Sequence, residues 1–313
     1  MNLDVIGFGA LNLDKLYHVN SIAREDEESY IQDYTESCGG SAANTVIGIS
    51  RLGNKTGFVG KVGADPEGSL LLNNLQNENV NTNMVQIADT DRSGTVNGYI
   101  DEEGQRALYV DPGVNDCIKL DDVDLEVLNS SKILHLSSFV GKKYLDSIET
   151  QKTVLKNVSN AVKVSLDPGR LYVEKGFEFM DQFLSRTDIL LLNLEELKFL
   201  KTNLDTGDDV VKGCDELHEE YSIDIMVVKL GSEGAYVSSN SKSEFINAFE
   251  VKCVDTTGAG DAFNAGFLHS QLKGEDVLKS GLVGNFVASN CVTEYGATRG
   301  LPDISKVEDI LKK

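Results

Sequence analysis

The sequence predicts an α/β protein: a doubly wound, mainly parallel sheet flanked by helices, with a small separate β-sheet beside it. Three observations carry this. From Leu120 onward, short apolar runs (Lys132 to Leu136, Ala161 to Leu166, Asp188 to Leu192, Ile225 to Leu230) alternate with helix-length segments. That rhythm marks βαβ units with buried parallel strands and right-handed crossovers. Nearer the N-terminus, two pairs of half-exposed, alternating runs stand outside it. Finally, 313 residues with 41% hydrophobic content can bury one large core, so residues 1–313 are expected to form a single domain.

Leu3 to Gly9 reads as the first buried strand. Asn12 stands where a dinucleotide fingerprint needs its third glycine, and an extended run follows instead of a helix, which excludes that motif. Asp14 comes directly after the strand. Leu16 to Val19 and Ser29 to Tyr34, separated by the acidic turn Arg24 to Glu28, form one strand pair. Thr95 to Asp101 and Arg106 to Val110, joined by Glu102 to Gln105, form the other. The resulting sheet spans about residues 12–37 and 94–111, and its exposed apolar faces suit a partner surface. Between the pairs, Gly39-Gly40 leads into a helix from Ala42 to Leu52, with Ser41 placed as N-cap and Gly53 as the stop. A second helix opens at Asp65-Pro66, where Asp65 reads as a cap.

Further helices are expected over Lys142 to Val158 and Tyr172 to Leu184. Asn193 and Glu196 have the spacing of an N-cap and a first-turn acid. Gly231 and Gly234 make a turn after Lys229, and Phe249 to Val254 reads as a strand. Val277 to Val292 is apolar nearly all round, hence buried, with Asn285 its odd polar member. Thr293 to Leu301 is a glycine-bearing loop, and Ser305 to Lys313 a surface helix. In such sheets ligands bind beyond the carboxyl ends of the strands, where Asp14, Asp167, Asn193 and Asp255 are expected to fall.

A formal charge of −21 argues against nucleic acid or an anionic membrane as partner. Cys38, Cys117, Cys214, Cys253 and Cys291 are scattered, without C-x-x-C spacing, which suits a reducing cytosol and gives no metal or disulfide framework. With no basic leader and no long apolar window, a cytoplasmic protein is expected.

The chemistry concentrates in Asp255-Thr256-Thr257-Gly258-Ala259-Gly260-Asp261-Ala262-Phe263, which opens an apolar helix. Two glycines bring backbone N–H groups close to a ligand, and a helix start favours an anion. Asp261 there is either an ordinary first-turn acid or a carboxylate held beside a phosphate to accept a proton.

This stretch resembles the C-terminal signature of the ribokinase-like superfamily, the PfkB-type carbohydrate and nucleoside kinases. Gly39-Gly40-Ser41-Ala42-Ala43-Asn44 and Asn193-Leu194-Glu195-Glu196 resemble two further signatures of that family, in its order and at about its spacing. The resemblance implies an ATP- and Mg²⁺-dependent kinase for a sugar or nucleoside. Asp14, Gly39, Gly40 and Asn44 would hold the substrate hydroxyls and Asp261 would be the base. Gly258, Ala259 and Gly260 would steady the phosphoryl group. Asn193, Lys229, Gly231, Gly234 and Asn285 would meet the nucleotide, and Glu196 the hydrated Mg²⁺. Asp255 and Thr257 would sit beside a monovalent cation such as K⁺. The small sheet would close over the substrate and pair with a second copy as a homodimer. Ser41 departs from the lysine common in ribokinases, which leaves a nucleoside or another sugar open. The rival from a different class is a sugar- or nucleotide-binding regulator that kept the fold without catalysis.

Overall fold

The computed structural model describes residues 2–201 and 207–312. Nine strands form one sheet: β1 (Val5–Phe8), β4 (Thr56–Gly63), β5 (Asn81–Ala88), β8 (Ile133–Ser137), β9 (Lys163–Asp167), β10 (Ile189–Asn193), β11 (Ile225–Lys229), β12 (Ala235–Ser239) and β13 (Ser243–Ile246). Their order is β13-β12-β11-β10-β9-β8-β1-β4-β5. All pair in parallel except β12 and β13, which turn back antiparallel at one edge. Four more strands form a separate sheet that fits a lid, ordered β3 (Ile31–Gly39), β2 (Asn12–Val19), β6 (Gly94–Ile100), β7 (Arg106–Asp111).

Helices cover both faces of the large sheet, as its doubly buried strands require. On one side lie α1 (Ser41–Arg51), α2 (Pro66–Asn77), α9 (Ala259–Leu272), α10 (Val277–Cys291) and α11 (Ile304–Leu311). The other carries α3 (Leu125–Asn129), α4 (Asp146–Asn157), α5 (Gly169–Val173), α6 (Phe177–Leu184), α7 (Leu194–Leu200) and α8 (Gly207–Tyr221). The two-residue period of a strand decides which core each residue joins. Ile189 and Leu191 point to the α1/α9 side, Leu190 and Leu192 to the α6/α7 side, and all are buried. Each such side chain contributes roughly 1.5–3 kcal/mol on burial.

The lid sheet has two unlike faces. Tyr17 stacks on Tyr34 and on Tyr99, at ring-centroid distances of 4.9 and 5.2 Å. Asp14, Ser37, Val96 and Val110 share a row on the opposite face. Asp65 pins the root of this sheet: it caps α2 through Gly68 N–H and accepts from both the N–H and the hydroxyl of Ser93.

Several sequence expectations need correction. Phe249 to Val254 pairs with no strand among the described residues. It lies along α10, with Phe249 edge-on to Phe286 and Val254 N–H bonded to Val292 O at 2.7 Å. Val251 and Val254 stay exposed, so its alternation marks a surface strap. Tyr172 to Leu184 is two helices, broken at Gly176, whose φ of 91° no helix accepts. The helix expected from Lys142 begins only at Asp146. Asp14 lies inside β2 and Asp255 on an irregular segment, so of the four expected strand-end residues only Asp167 and Asn193 terminate strands of the large sheet. The C-terminal helix ends at Leu311, and Lys313 lies outside the described residues. No helix among the described residues is long and apolar enough to cross a membrane.

Candidate active site

Two helix N-termini meet at one carboxylate. Gly258 caps α9 in the left-handed region (φ 73°), where a Cβ would stand 2.5 Å from that of Ala297, so the turn requires glycine. Gly40 precedes α1 with φ 119°, its open face 2.1 Å from Ala10 O at the Cβ position. Asp261, in the first turn of α9, lies between them. Its Oδ1 accepts from Ser41 Oγ at 2.7 Å and its Oδ2 from Asn44 Nδ2 at 2.8 Å. Ser41 is therefore not the N-cap of α1, a position held by Gly40; it is the first helical residue, and its hydroxyl bonds a residue of α9. Burial pushes the Asp261 carboxyl up to about 6, against the two hydrogen bonds that favour its charged form.

Asp14 lies close to this group. A Cβ on Gly39 would come within 2.4 Å of its Oδ2, so the glycine is what admits the carboxylate. Burial and the neighbouring Asp261 raise Asp14 to about 7. Two carboxylates, both raised well above their ordinary range, thus lie close together where β2, α1 and α9 meet.

A second polar cluster adjoins the first on the α9 side. Lys229 Nζ, at the end of β11, donates to Asp167 Oδ2 at 2.8 Å and to Asn264 Oδ1 at 3.2 Å. Asn264 Nδ2 donates in turn to Asp167 Oδ2 at 2.6 Å. Burial would raise Asp167, but the ammonium and the Asn264 amide outweigh it and hold the carboxyl below its usual range. Lys229 is held above its own range by Asp167 and Glu196, although burial opposes this. Asn193 caps α7 through Glu196 N–H while Glu196 Oε2 accepts Asn193 N–H, a reciprocal capping box. Burial first, then Asp167, raises Glu196 to about 7.

Other expected site residues are placed separately. Gly231 and Gly234, both at positive φ, form the turn between β11 and β12. Asn285 is buried and donates to the carbonyls of Ile246 and Asn247, holding the end of β13. Asp255 accepts from Thr257 N–H, Thr257 Oγ1 and Gly296 N–H, which ties the 293–301 loop to the start of α9. Sequence reasoning gave Asp167 no partner and overlooked Asn264 and the Ser41–Asp261 contact. The available signal was spacing: Asn264 lies one helical turn beyond Asp261.

Comparison with known proteins accounts for this arrangement. An "Uncharacterized sugar kinase" of Archaeoglobus fulgidus is 43% identical over 256 residues, covering 82% of this chain and 98% of that protein. A "Fructokinase" of Salmonella typhimurium is 31% identical over 240 residues, 74% of this chain and 76% of its own. The Arabidopsis thaliana ribokinase solved with ribose and ATP superposes with a TM-score of 0.86 at 26% identity, covering 100% of both chains. The pfkB family carbohydrate kinase profile matches residues 3–304, and the chain belongs to that family, as a phosphotransferase of ribokinase-like fold that acts on a sugar or nucleoside hydroxyl.

Proposed function

We propose that the protein transfers the γ-phosphoryl group of ATP to a primary hydroxyl of a ribose- or fructose-like sugar, with Asp261 as the base. The observation that carries this is the meeting of α1 and α9 at one carboxylate, which burial raises to about 6. A base works best with a pKa not far from the working pH. Asp14, Asn44 and the backbone at Gly39 and Gly40 hold the sugar hydroxyls, two carboxylate oxygens suiting a vicinal diol. Asp261 takes the proton as the alcohol oxygen attacks phosphorus in line, and ADP leaves. Backbone N–H groups over Gly258, Ala259 and Gly260 stabilise the equatorial oxygens, with the positive end of α9 behind them. Lys229 faces the phosphates, and Asn193, the Gly231–Gly234 turn and the segment held by Asn285 border the rest of the nucleotide.

The donor set suits a hydrated Mg²⁺. Glu196 offers a carboxylate with one oxygen already engaged by Asn193 N–H, enough for an outer contact through water. Bound with the nucleotide, Mg²⁺ offsets phosphate charge. Asp255 suits a monovalent cation such as K⁺ beside Thr257, because its carboxyl is kept ionised and its hydrogen-bond donors there are all neutral. The β2/β3/β6/β7 sheet acts as a lid that excludes water and joins two copies in a homodimer. Residues 1–313 act as one domain, and the five free cysteines suit the cytosol.

A nucleoside 5′-hydroxyl is the second reading, favoured by Ser41: it brings a hydroxyl, not an ammonium, to the acceptor end. The test is ADP release from Mg-ATP with ribose, fructose and a set of nucleosides. Acceptor-dependent release with a sugar supports the first reading and with a nucleoside the second. Saturable binding without release from any of them would make the protein a regulator.

A further inference from the structure

A buried ion pair contributes little net stability, because its Coulomb attraction is offset by desolvation of both charges. What it does fix is position. Lysine carries its charge on a flexible four-carbon stem that ordinarily leaves the ammonium mobile. Lys229 is not free in this way. Its Nζ is clamped by Asp167 Oδ2 at 2.8 Å and Asn264 Oδ1 at 3.2 Å, and Asn264 closes the triangle on Asp167 at 2.6 Å. The three residues come from β11, β9 and α9, so the triangle fastens the start of α9 to the carboxyl ends of two interior strands. The ammonium lies against the first turn of that helix: a Cβ added to Gly260 would stand 3.4 Å from Nζ. Asn264 is fully buried, and Asp167 nearly so.

We propose that Asp167 and Asn264 are positioning residues for the transfer step, acting through Lys229, whose ammonium they hold beside Gly260 to meet the charge on the moving phosphoryl group. This rests on the kinase reading of the site above. The ammonium then stands at its working place before the nucleotide arrives, so nothing need reorganise during the reaction. Their side chains bond Lys229 and each other, not Asp14, Asn44 or Asp261.

The test is a set of variants in the full-length protein, assayed by steady-state kinetics with Mg-ATP and the best acceptor from the panel. Lys229→Met should lower kcat about 10²-fold, in line with loss of one preorganised charge-stabilising group. Asp167→Asn keeps the shape and removes the counterion, and should lower kcat about tenfold with the acceptor KM unchanged. The double variant should be no slower than Lys229→Met alone, because the carboxylate's part in the transfer step is to place that ammonium. Asn264→Ala should lower kcat several-fold and likewise add nothing to Lys229→Met, which tests the idea even if Asp167→Asn folds poorly. The inference is overturned if folded Asp167→Asn and Asn264→Ala turn over like the wild type, or if their losses multiply with that of Lys229→Met. The two levels are separable. No ADP release by the wild type from any acceptor would sink the kinase reading and this inference with it. An active wild type beside normal Asp167→Asn and Asn264→Ala variants would sink the inference alone.

Discussion

Ser41 Oγ donates to Asp261 Oδ1 at 2.7 Å, joining the first residue of α1 to the first turn of α9 across 220 positions of chain. The bond favours the charged form of the carboxylate, while burial favours the neutral one, and burial prevails. Ser41 is itself a primary alcohol, the same chemical group as the proposed acceptor. Asp261 Oδ1 is thus placed to accept from a CH₂OH group.

Ser41→Ala should raise the Asp261 pKa, because one donor to its charged form is lost. The acid limb of the kcat/KM profile would move up by about half a unit to one unit, with turnover at pH 8 little changed. A limb that stays where it is in the wild type would mean that the hydroxyl does not bond the carboxylate in solution.

Stability and activity should respond to pH in opposite senses. Burial raises Asp14 and Glu196 to about 7 and Asp261 to about 6, from ordinary values of 3.8 and 4.5. For a carboxyl raised on folding, stability is fully present below the unfolded pKa and lost as pH rises through the folded one. Lowering the pH from 8 to 5.5 should therefore raise Tm while kcat falls, as Asp261 becomes protonated. Asp261→Asn, neutral throughout, should melt above the wild type at pH 8 and lose at least about 10² in kcat. Calorimetry and steady-state rates on the same samples decide it, and an Asp261→Asn that melts no higher than the wild type at pH 8 contradicts the assignment.

Asp65→Ala should act on stability. The side chain caps α2 and accepts twice from Ser93 at the start of β6, at 2.7 and 2.6 Å. Losing the cap and these bonds should cost about 2 kcal/mol, read as a lower urea midpoint at unchanged slope.

The lid predicts an oligomeric state. Ile31, Tyr34, Leu108, Tyr109 and Val110 are exposed on it. The wild type should sediment as a dimer, and Leu108→Glu combined with Val110→Glu as a monomer whose acceptor KM is raised. A monomeric wild type at micromolar concentration would remove the dimer.

Replacing K⁺ by a bulky organic cation should lower kcat/KM through the Asp255 loop, and Asp255→Asn should abolish that ion dependence while the chain stays folded. Equal rates in both salts would leave Asp255 only its bonds to Thr257 and Gly296.

What the sequence determined by itself was everything set by short spacing. The βαβ rhythm after Leu120, the capping pair at Asn193 and Glu196, the Asp65 cap and the glycine-opened start of α9 all follow from residues within a turn or two of one another. Such features are legible because period and capping are local. Where the sequence misled, a local pattern had a competing tertiary use. The alternation over Phe249 to Val254 suits a strand, yet that segment lies along α10 instead. Ser41 has the chemistry of a cap, yet its hydroxyl finds a carboxylate on another helix. The partners of the Asn285 amide N–H groups, two backbone carbonyls, likewise lie beyond any local pattern. Only the tertiary structure could decide these, along with the Asp167–Lys229–Asn264 triangle, because the partner of a buried polar group is whatever the folded chain brings within hydrogen-bond reach, and desolvation compels it to have one.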